Sequence, residues 1–478
     1  MKKLLIYILC LSLSAAPLWA ASYDITEDGD GATDFYCTSG CGGGACAAGD
    51  ILNLENKTWT DLIRIHDCEN GTSGSPIIIQ NNPAGTTTLN NGTANQPSIR
   101  INSSTGYVTL QGSVQTFDID DIRDYYTNQN ASGLTDSNHA DMSLIITDGT
   151  PGIEILNSSH VKVQYVKIIA STAKSGINAK SDLLRSAFTI EDIEISNNYI
   201  EDTGWECVYL GYSGWTAGGT EPVMSDVVIQ NNFCGSPGYE CYQLGSAYDG
   251  DNSGYGGDHV ISDNVCVDPA TADTANQNEA ILLNPGSQYV TVENNIVIGT
   301  DEQGDSLYYD QGLGHNLIQN NIFHVADNMG MVFEAASDYN KILNNTIADA
   351  DVDGIYISSG SDGNIINGNL LCGWGGDAID DRGTGTVDAS STAIASSTDL
   401  YHETLCSNVG FGAYASDDFS IDADVIDAVD QLSSNYPTLD IIGTTRSEYG
   451  GGGDIGAYEF QETDTGSSST IYGVSVNN

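Results

Sequence analysis

The sequence predicts an all-β protein built as a single-stranded, right-handed parallel β-helix, in which successive coils of the chain stack on one another. A pattern of an apolar residue, any residue, Asn or a substitute, and Asn recurs seven times, closing at Asn198, Asn232, Asn264, Asn295, Asn321, Asn345 and Asn369. These closing positions are 24 to 34 residues apart, and self-similarity at a period of about 20 to 50 residues indicates a repeat architecture. The units are rich in β-formers and show almost no helical periodicity.

A second strand follows each Asn pair and supplies the predicted core. Between Trp205 and Arg382 these strands read WECVYLG, YECYQLG, NEAILLN, GDSLYYD, NMGMVFE, VDGIYIS and GDAIDDR. Their fourth and sixth columns are apolar, so the alternation of side chains along a strand turns those columns inward and columns five and seven outward. We expect the Asn column to form a ladder of side-chain amides at a bend, and the solenoid to contain about ten or more coils.

The rest of the chain is assigned around this solenoid. Lys2, Lys3, an apolar run and small residues up to Ala20 predict a signal peptide over residues 1–20, and no later segment approaches the roughly 20 apolar residues of a membrane span. We predict a Cys-rich cap with the first strands at 21–75, the β-helix at 76–410 with an inserted loop at 112–150, a C-terminal module at 411–463 and a flexible tail at 464–478. The protein is expected to be monomeric and secreted from a bacterium or held at its cell surface.

The charge of the chain limits its partners. Its formal net charge is −51, which excludes nucleic-acid binding through phosphates and repels polyanions unless cations intervene. Solubility in a salty habitat and a set of divalent-cation sites both explain such acidity, and the two explanations are compatible.

Ten cysteines follow the predicted signal peptide, an even number that favours disulfides in an exported protein. Cys207 and Cys241 share a column in adjacent coils about 4.8 Å apart, as do Cys234 and Cys266, so these pairings are predicted. Cys372–Cys406 is predicted as a third bond. Two more bonds are expected among Cys37, Cys41, Cys46 and Cys68, whose spacings lack the paired CxxC that a zinc site would favour.

Two segments carry a family resemblance. Gly49-Asp50-Ile51, Gly71-Thr72 and Pro76-Ile77 resemble the opening coils of the pectin-lyase-like right-handed parallel β-helix superfamily. The phrase GGGDIGAYEF, ending at Phe460, resembles the C-terminal module of bacterial surface β-helix proteins. The resemblance implies the fold, with the C-terminal module capping the open last coil. Because this superfamily includes polysaccharide lyases, glycoside hydrolases, epimerases, adhesins and phage spikes, the resemblance does not select an activity.

Two acidic groups are candidate metal ligands. The second column of the stacked strands holds Glu206, Glu240, Glu279 and Asp305 at coil spacing, where like charges repel unless a cation bridges them. Asp249 and Asp251 lie in a loop that looks like a fragment of a calcium site. Calcium is therefore predicted as a cofactor, and a solvated acidic edge with solvated turns is the alternative explanation.

A third group, on the outward columns of the later coils, has the composition of a sugar site. Sugar rings stack on aromatic side chains and sugar hydroxyls bond to carboxylates. Asp310 and Glu334 share a column one coil apart, so their pKa values should separate into those of an acid and of a base or nucleophile. Predicted catalytic residues are Asp310, Glu334 and Asp380. Predicted substrate-binding residues are Asn284, Tyr308, Tyr356 and Arg382.

The predicted function is that of a secreted, carbohydrate-active β-helix protein that binds a polysaccharide in a groove along the stacked strands and cleaves it. A hydrolase is favoured over a lyase, because the candidate bases of a lyase form no basic cluster: Lys341, Arg382, His315 and His324, with Tyr308 as an alternative base. The alternative function is a non-catalytic adhesin or matrix protein. Chance assembly of carboxylates on an acidic β-helix also explains the outward group.

Overall fold

The computed structural model describes residues 20–26, 32–93, 95–113, 115–117, 119–120, 122–123, 140–169, 174–184, 188–213, 222–247, 257–272, 278–300, 304–310, 314–326, 328–334, 336–383, 400–403, 411–413, 418–421 and 441. The predicted signal peptide before residue 20, the loop acids Asp249 and Asp251, Cys406, the tail and nearly all of the predicted C-terminal module lie outside these residues.

Three parallel sheets of twelve strands each run the length of the molecule. The strands of sheet 1 are Ser22–Ile25, Ile51–Leu54, Ile77–Asn81, Val108–Gln111, Val161–Gln164, Ile190–Ser196, Met224–Gln230, His259–Ser262, Val290–Glu293, Leu317–Gln319, Lys341–Leu343 and Ile365–Asn367. The strands of sheet 2 are Thr58–Trp59, Thr87–Asn90, Leu144–Asp148, Val166–Ile169, Tyr199–Glu201, Phe233–Gly235, Val265–Val267, Ile296–Thr300, Ile322–Ala326, Thr346–Ala350, Asn369–Cys372 and Leu400–Glu403. The strands of sheet 3 are Ala32–Tyr36, Leu62–His66, Ile99–Asn102, Ile153–Leu156, Ile177–Lys180, Val208–Leu210, Tyr242–Leu244, Ile281–Leu283, Leu307–Tyr309, Met331–Phe333, Ile355–Ile357 and Ile379–Asp381.

After its first two strands, which belong to sheets 1 and 3, the chain runs through sheet 1, sheet 2 and sheet 3 in turn, and each circuit forms one coil. We number the coils by their sheet 1 strands, so that coil 1 begins at Ser22 and coil 12 at Ile365. Each strand pairs in parallel with the strand of the same sheet in the next coil, as in Val208–Leu210 beside Tyr242–Leu244. The predicted parallel β-helix is confirmed, and parallel crossovers of this kind are right-handed in nearly all proteins.

The described residues outside the three sheets are few. Gln115–Phe117 pairs antiparallel with Ala140–Met142, and Phe411–Ala413 pairs antiparallel with Asp418–Ile421. Residues 119–120 and 122–123 are helical. Among the residues that the structure describes, no helix combines the length and apolar composition needed to cross a membrane.

The core fills the space that the three sheets enclose. The predicted inward columns of sheet 3 are buried, from Val208 and Leu210 in coil 6 to Ile355 and Ile357 in coil 11. The largest fully buried side chains are Trp59, Tyr242, Tyr309, Phe323 and Phe333. Stacking places like residues above one another, so each coil buries its apolar side chains against the next coil rather than against a separate layer.

A continuous ladder of buried Asn side chains lies at the bend between sheets 1 and 2, as predicted. Nδ2 of Asn198 donates to Oδ1 of Asn232 at 3.0 Å, and Asn232 donates in the same way to Asn264 at 3.0 Å. The pattern continues through Asn295, Asn321 and Asn345 to Asn369. Each ladder amide also donates to a backbone carbonyl of a neighbouring coil, so the ladder side chains are paired both with one another and with the backbone.

The residue before each ladder Asn explains why the motif has two polar positions. Asn197, Asn231, Asp263 and Asn294 have φ between 54° and 57°, in the left-handed region. Asn, Asp and Gly tolerate this conformation best, and those are the residues found there. The first polar residue therefore turns the chain, and the second joins the coils.

The disulfides correct two of the predicted pairings. Cys207 bonds to Cys234 and Cys241 to Cys266, each pair with Cα atoms 6.0 Å apart. The predicted pairs Cys207–Cys241 and Cys234–Cys266 are wrong, although Cys234 and Cys266 are register partners. Stacked positions on parallel strands hold their Cβ atoms side by side, whereas a disulfide needs Cβ vectors that converge. Each bonded pair joins two neighbouring coils. One cysteine lies in a sheet 2 strand, and its partner lies just before the sheet 3 strand of the preceding coil.

The remaining described cysteines are also oxidised. The N-terminal four form Cys37–Cys68 and Cys41–Cys46, so they are not available as thiolate ligands of zinc. Cys372 is disulfide-bonded, and its predicted partner Cys406 lies outside the described residues.

The described end of the inserted segment contacts the coils at the bend between sheets 1 and 2. Arg123 donates from Nη2 to the carbonyl oxygens of Asn294 at 3.2 Å and Ile441 at 2.8 Å, and its Nη1 lies 3.4 Å from Asp263. Asp263 and Asn294 form the bend between sheets 1 and 2. The described end of the insert therefore packs on that bend, and the sheet strand Leu144–Asp148 already lies within the predicted 112–150 loop.

Candidate functional site

The candidate site occupies the outer face of sheet 3 in coils 6 to 12. Three columns of side chains form it: the acids just before each strand, the central outward residue of each strand, and the residue just after each strand. Tyr308 is central in coil 9, because it is paired with Leu282 of coil 8 and Val332 of coil 10. Asp305 precedes that strand and Asp310 follows it, so coil 9 brings two of the sequence-predicted groups to one place.

The acids before the strands are buried rather than solvated. Glu206, Glu240, Glu279 and Asp305 are at most 6 % exposed, which removes the solvated edge as an explanation. Oε2 of Glu206 accepts a hydrogen bond from Oγ of Ser175 at 2.6 Å, and Oδ1 of Asp305 accepts from the backbone N of Met329 at 2.9 Å. We call these four residues the acid ladder.

Burial shifts the acid ladder toward its protonated form. Loss of hydration raises the pKa of Glu206, and burial together with the charges of Glu279 and Glu206 raises that of Glu240 well above its usual value. The pKa of Glu279 is also raised, chiefly by burial. Burial raises the pKa of Asp305 to about 7. Protons therefore relieve much of the repulsion between these stacked acids.

The ladder makes stability depend on pH, with a sign that follows from these shifts. A carboxyl whose pKa is higher in the folded protein than in the unfolded chain contributes its full stabilisation below the unfolded-chain value, near 4. This contribution is lost as the pH rises through the pKa in the folded protein, which is about 7 for Asp305. We expect the free energy of unfolding to fall by roughly 1 kcal/mol per pH unit across this interval. Urea denaturation at pH 4.5, 6 and 7.5 measures it.

The matched control for this prediction is Asp305→Asn, which mimics the protonated carboxyl. The variant should have a shallower pH dependence than the wild type over the same interval. Equal slopes in the two proteins would contradict the assignment of a raised pKa to Asp305.

Asp310 and Glu334 are the adjacent pair that the sequence predicts. Asp310 donates its backbone N–H to Leu283 O, and Glu334 donates its own to Tyr309 O at 3.0 Å, which places the two residues in one column on coils 9 and 10. Partial burial, followed by the charge of Glu334, raises the pKa of Asp310. One member of the pair is thereby favoured as the proton carrier.

Tyr308 lies among four carboxyl groups. Burial raises the pKa of its phenol well above the usual value, and the charges of Glu334, Asp310, Glu279 and Asp305 raise it further, in that order. The hydroxyl therefore stays protonated at neutral pH and serves as a hydrogen-bond donor. This environment opposes a role for Tyr308 as the base of an elimination reaction.

Tyr356, Asp380 and Arg382 form a separate group on coils 11 and 12. The Arg382 guanidinium lies 5.0 Å from the centroid of the Tyr356 ring, and its Nη2 is 2.5 Å from Oδ2 of Asp380. Asp380 is thus held in an ion pair and is not brought together with Asp310 and Glu334. Asn284, at 4 % exposure, begins the Asp310 column in coil 8 and is almost fully buried.

Sequence reasoning missed two neighbouring features of this face. The rings of Trp205 and Tyr239 stack 5.6 Å apart beside the start of the acid ladder, and Lys174 lies over the Trp205 ring at 5.5 Å. Their position in the first column of the aligned strands was a usable signal. On coils 1 to 5 the same face carries ion pairs of Arg64 with Asp34 and of Arg100 and Lys180 with Glu154.

The predicted calcium site lacks a preformed geometry in the acid ladder. Among the described residues, no three ladder acids bring ligand oxygens within 4.8 Å of one another. The one such group, Cys41, Cys46 and Asp50, contains a disulfide. Calcium takes six to eight oxygen ligands, so calcium here stays a prediction.

The candidate bases of a lyase are spread over different faces. Lys341 begins a sheet 1 strand and His324 lies in a sheet 2 strand at 7 % exposure. His315 stacks between Tyr289 and Tyr339 at the bend before sheet 1. None of these three lies on the sheet 3 face that holds Tyr308 and Arg382.

Comparisons with known proteins give the fold and one partial family match. Residues 241–385 match the family model described as Periplasmic copper-binding protein (NosD), and no curated protein matches the chain. Similar solved structures include the alginate lyase of Paenibacillus sp. str. FPU-7, at 15% identity over 71% of this chain and 93% of that chain, with a TM-score of 0.39. The surface adhesin PfbA of Streptococcus pneumoniae is similar at 13% identity over 70% and 84%, with a TM-score of 0.43. The GH136 lacto-N-biosidase of Eubacterium ramulus is similar at 10% identity over 78% and 68%, with a TM-score of 0.46. These are pectin-lyase-like β-helix proteins, and the likeness is one of fold.

The matched segment does not fit a copper site. Copper favours His, Cys and Met ligands that converge on one point. His259, His315 and His324 lie at three different places around the coil, and in the described part of 241–385 no three His, Cys, Asp or Glu ligand atoms come within 4.8 Å. Cys241, Cys266 and Cys372 are in disulfides, so we derive no copper chemistry for this chain.

Proposed function

We propose that this is a secreted protein that binds a polysaccharide along the outer face of sheet 3 and hydrolyses it in coils 9 and 10. The observation that carries the proposal is the adjacent pair Asp310 and Glu334 beside the protonated hydroxyl of Tyr308. Asp310 has a raised pKa, and the Glu334 carboxylate belongs to the same column one coil step away.

The chemistry assigns one role to each member of the pair. Protonated Asp310 donates its proton to the glycosidic oxygen, while Glu334 attacks the anomeric carbon and the bond to the leaving sugar breaks. Water then hydrolyses the glycosyl–Glu334 ester, with Asp310 accepting a proton from that water. Retaining glycosidases hold their two carboxyls about 5 to 5.5 Å apart, which is close to one coil step of about 4.8 Å.

Neighbouring residues fit the binding of a sugar chain that lies along the helix axis. Tyr356 offers a ring face, and Arg382 and Asp380 offer hydrogen bonds to hydroxyls. The hydroxyl of Tyr308 donates toward the reacting sugar. Because successive coils repeat at about 4.8 Å, a chain crossing coils 8 to 12 meets each of these groups in turn.

Removal of the Tyr356 ring or the Arg382 guanidinium should weaken polysaccharide binding. In affinity gel electrophoresis with a panel of soluble plant and algal polysaccharides, Tyr356→Ala and Arg382→Ala should each raise the apparent Kd of the retained glycan by about tenfold. Lys341→Ala, on sheet 1, is the control and should leave mobility unchanged. Equal retardation of all four proteins would place the glycan elsewhere.

A non-catalytic adhesin is the alternative function. It predicts the same binding of the glycan but no cleavage product. Retardation by a glycan without any cleavage of that glycan would favour the adhesin. The rod of stacked coils is stapled by at least four disulfides among the described cysteines, which suits either function outside the cell.

A further inference from the structure

A cavity of about 400 Å³ lies on the outer face of sheet 1 across coils 3 to 6. It is on a different sheet and on earlier coils than the proposed hydrolytic site. Polar and aromatic side chains from four consecutive coils line it, among them Ser73, Tyr107, Thr109, His160, Lys162 and Glu194. The function proposed above uses none of these residues.

One column of side chains forms the wall of this cavity. Pro76, Tyr107 and His160 each precede a sheet 1 strand, and Asp192 continues the column within the strand Ile190–Ser196. Backbone bonds from Ile77 N to Tyr107 O and from Val108 N to His160 O join successive members. The Tyr107 and His160 rings stack with centroids 4.4 Å apart. His160 Nδ1 lies 3.2 Å from Oδ2 of Asp192, which holds the imidazole ring in place.

A second column forms the floor. Thr109, Lys162 and Glu194 are register partners on coils 4, 5 and 6. The Lys162 ammonium lies 2.7 Å from Oε1 of Glu194, and both side chains are partly exposed. The floor therefore presents a hydroxyl, a cation and a carboxylate within a few ångströms of one another, and the wall presents apolar ring surface.

We propose that this cavity binds one or two residues of a neutral saccharide. Sugar hydroxyls both donate and accept, so neighbouring hydroxyls on one ring match a paired ammonium and carboxylate, while the C–H face of the ring packs on the aromatic wall. The volume lies within the range of small-molecule sites. An anionic sugar is disfavoured, because the Lys162 ammonium is already paired with the Glu194 carboxylate and the chain carries a net charge of −51.

This site adds a second point of attachment to the rod. A polysaccharide held on sheet 1 raises the effective concentration of its neighbouring segments near the molecule. The attachment does not depend on hydrolysis at Asp310 and Glu334, so the two proposals can fail separately.

The test is calorimetric titration with neutral trisaccharides, namely maltotriose, cellotriose, mannotriose, xylotriose and galactotriose, with trigalacturonate as the anionic comparator. The variant Lys162→Met/Glu194→Gln removes the ion pair while keeping side-chain volume on a partly exposed surface. Glu293→Gln, on the sheet 1 strand of coil 9 outside the cavity, is the matched control. Tyr356→Ala reports on the sheet 3 site.

We expect at least one neutral trisaccharide to bind the wild type, with a Kd that rises about tenfold or more in the double variant. That Kd should not change in Glu293→Gln, whereas a rise in Tyr356→Ala with none in the double variant would place the trisaccharide on sheet 3 and overturn the proposal. The proposal is overturned if no neutral trisaccharide binds at about 10 mM, or if the double variant binds as the wild type does. It is also overturned if trigalacturonate binds more tightly than every neutral trisaccharide.

Discussion

Replacement of Glu334 by Gln is expected to reduce polysaccharide hydrolysis by roughly 10³-fold or more, because the amide cannot attack the anomeric carbon. Asp310→Asn should reduce it by about 10²- to 10⁴-fold by removing the general acid. The measurement is the initial rate of reducing-end release on the polysaccharide that the wild type cleaves best.

The two variants should also differ in ways that a merely structural role would not produce. Asp310 acts in its protonated form, so kcat/KM of the wild type should fall above the raised pKa of this residue, and this alkaline limb should disappear in Asp310→Asn. A substrate with an activated aryl leaving group needs less protonation and should be affected less by Asp310→Asn than the polysaccharide is.

Asp380→Asn is the matched control for this pair. Asp380 is a third acid on the same face, but its carboxylate is engaged by Arg382 and lies two to three coils from the pair. We expect a loss of less than about tenfold from this substitution. A loss as large as that of Glu334→Gln would indicate that catalysis takes place on coil 12 and would contradict the assignment of Asp310 and Glu334 as the catalytic residues.

Replacement of Asn232 by Ala is expected to lower the free energy of unfolding by about 3 kcal/mol or more. Its Nδ2 donates to Ile195 O at 2.9 Å and to Asn264 Oδ1 at 3.0 Å, and its Oδ1 accepts from the backbone N and the Nδ2 of Asn198 at 3.0 Å each. All of these groups are buried. Alanine would leave several of them without partners in the middle of the solenoid, where no water is close by.

The neighbouring residue provides the control for the ladder. Asn231 precedes Asn232 and has φ 54°, a conformation that Gly adopts without strain. Asn231→Gly should therefore change the free energy of unfolding by less than about 1 kcal/mol. Urea denaturation followed by circular dichroism at one fixed pH compares the two variants. Similar midpoints would show that the ladder hydrogen bonds add little.

The fold was predictable because it follows from features that repeat. The Asn pair specifies a left-handed residue and a buried amide at the same bend in each coil, and the alternating apolar columns specify which side of the strand is inside. Because the same pattern recurs in many coils, a wrong assignment in one coil does not change the predicted fold. The prediction of about ten or more coils follows from this register, as does the stacking of Tyr308, Val332 and Tyr356 in one column.

The features that sequence reasoning missed depend on the direction of side chains at the bends. The column alignment placed Cys207 above Cys241, but only the three-dimensional bend shows that Cys207 converges on Cys234. The same bend buries the acid ladder, which the alignment alone left equally compatible with a solvated edge. Arg123 and Asn294 are 171 residues apart in the sequence, and no local sequence pattern predicts their contact.

The most direct test of the proposed function is to incubate the purified wild-type protein with the polysaccharide panel, with and without calcium, and to follow two products together. Reducing ends report any cleavage of the chain, whereas absorbance of an unsaturated product reports β-elimination. The proposed hydrolase predicts reducing ends without unsaturated product on at least one polysaccharide. Unsaturated product would contradict the hydrolytic roles of Asp310 and Glu334, and absence of both products on every glycan would contradict catalysis and favour the adhesin.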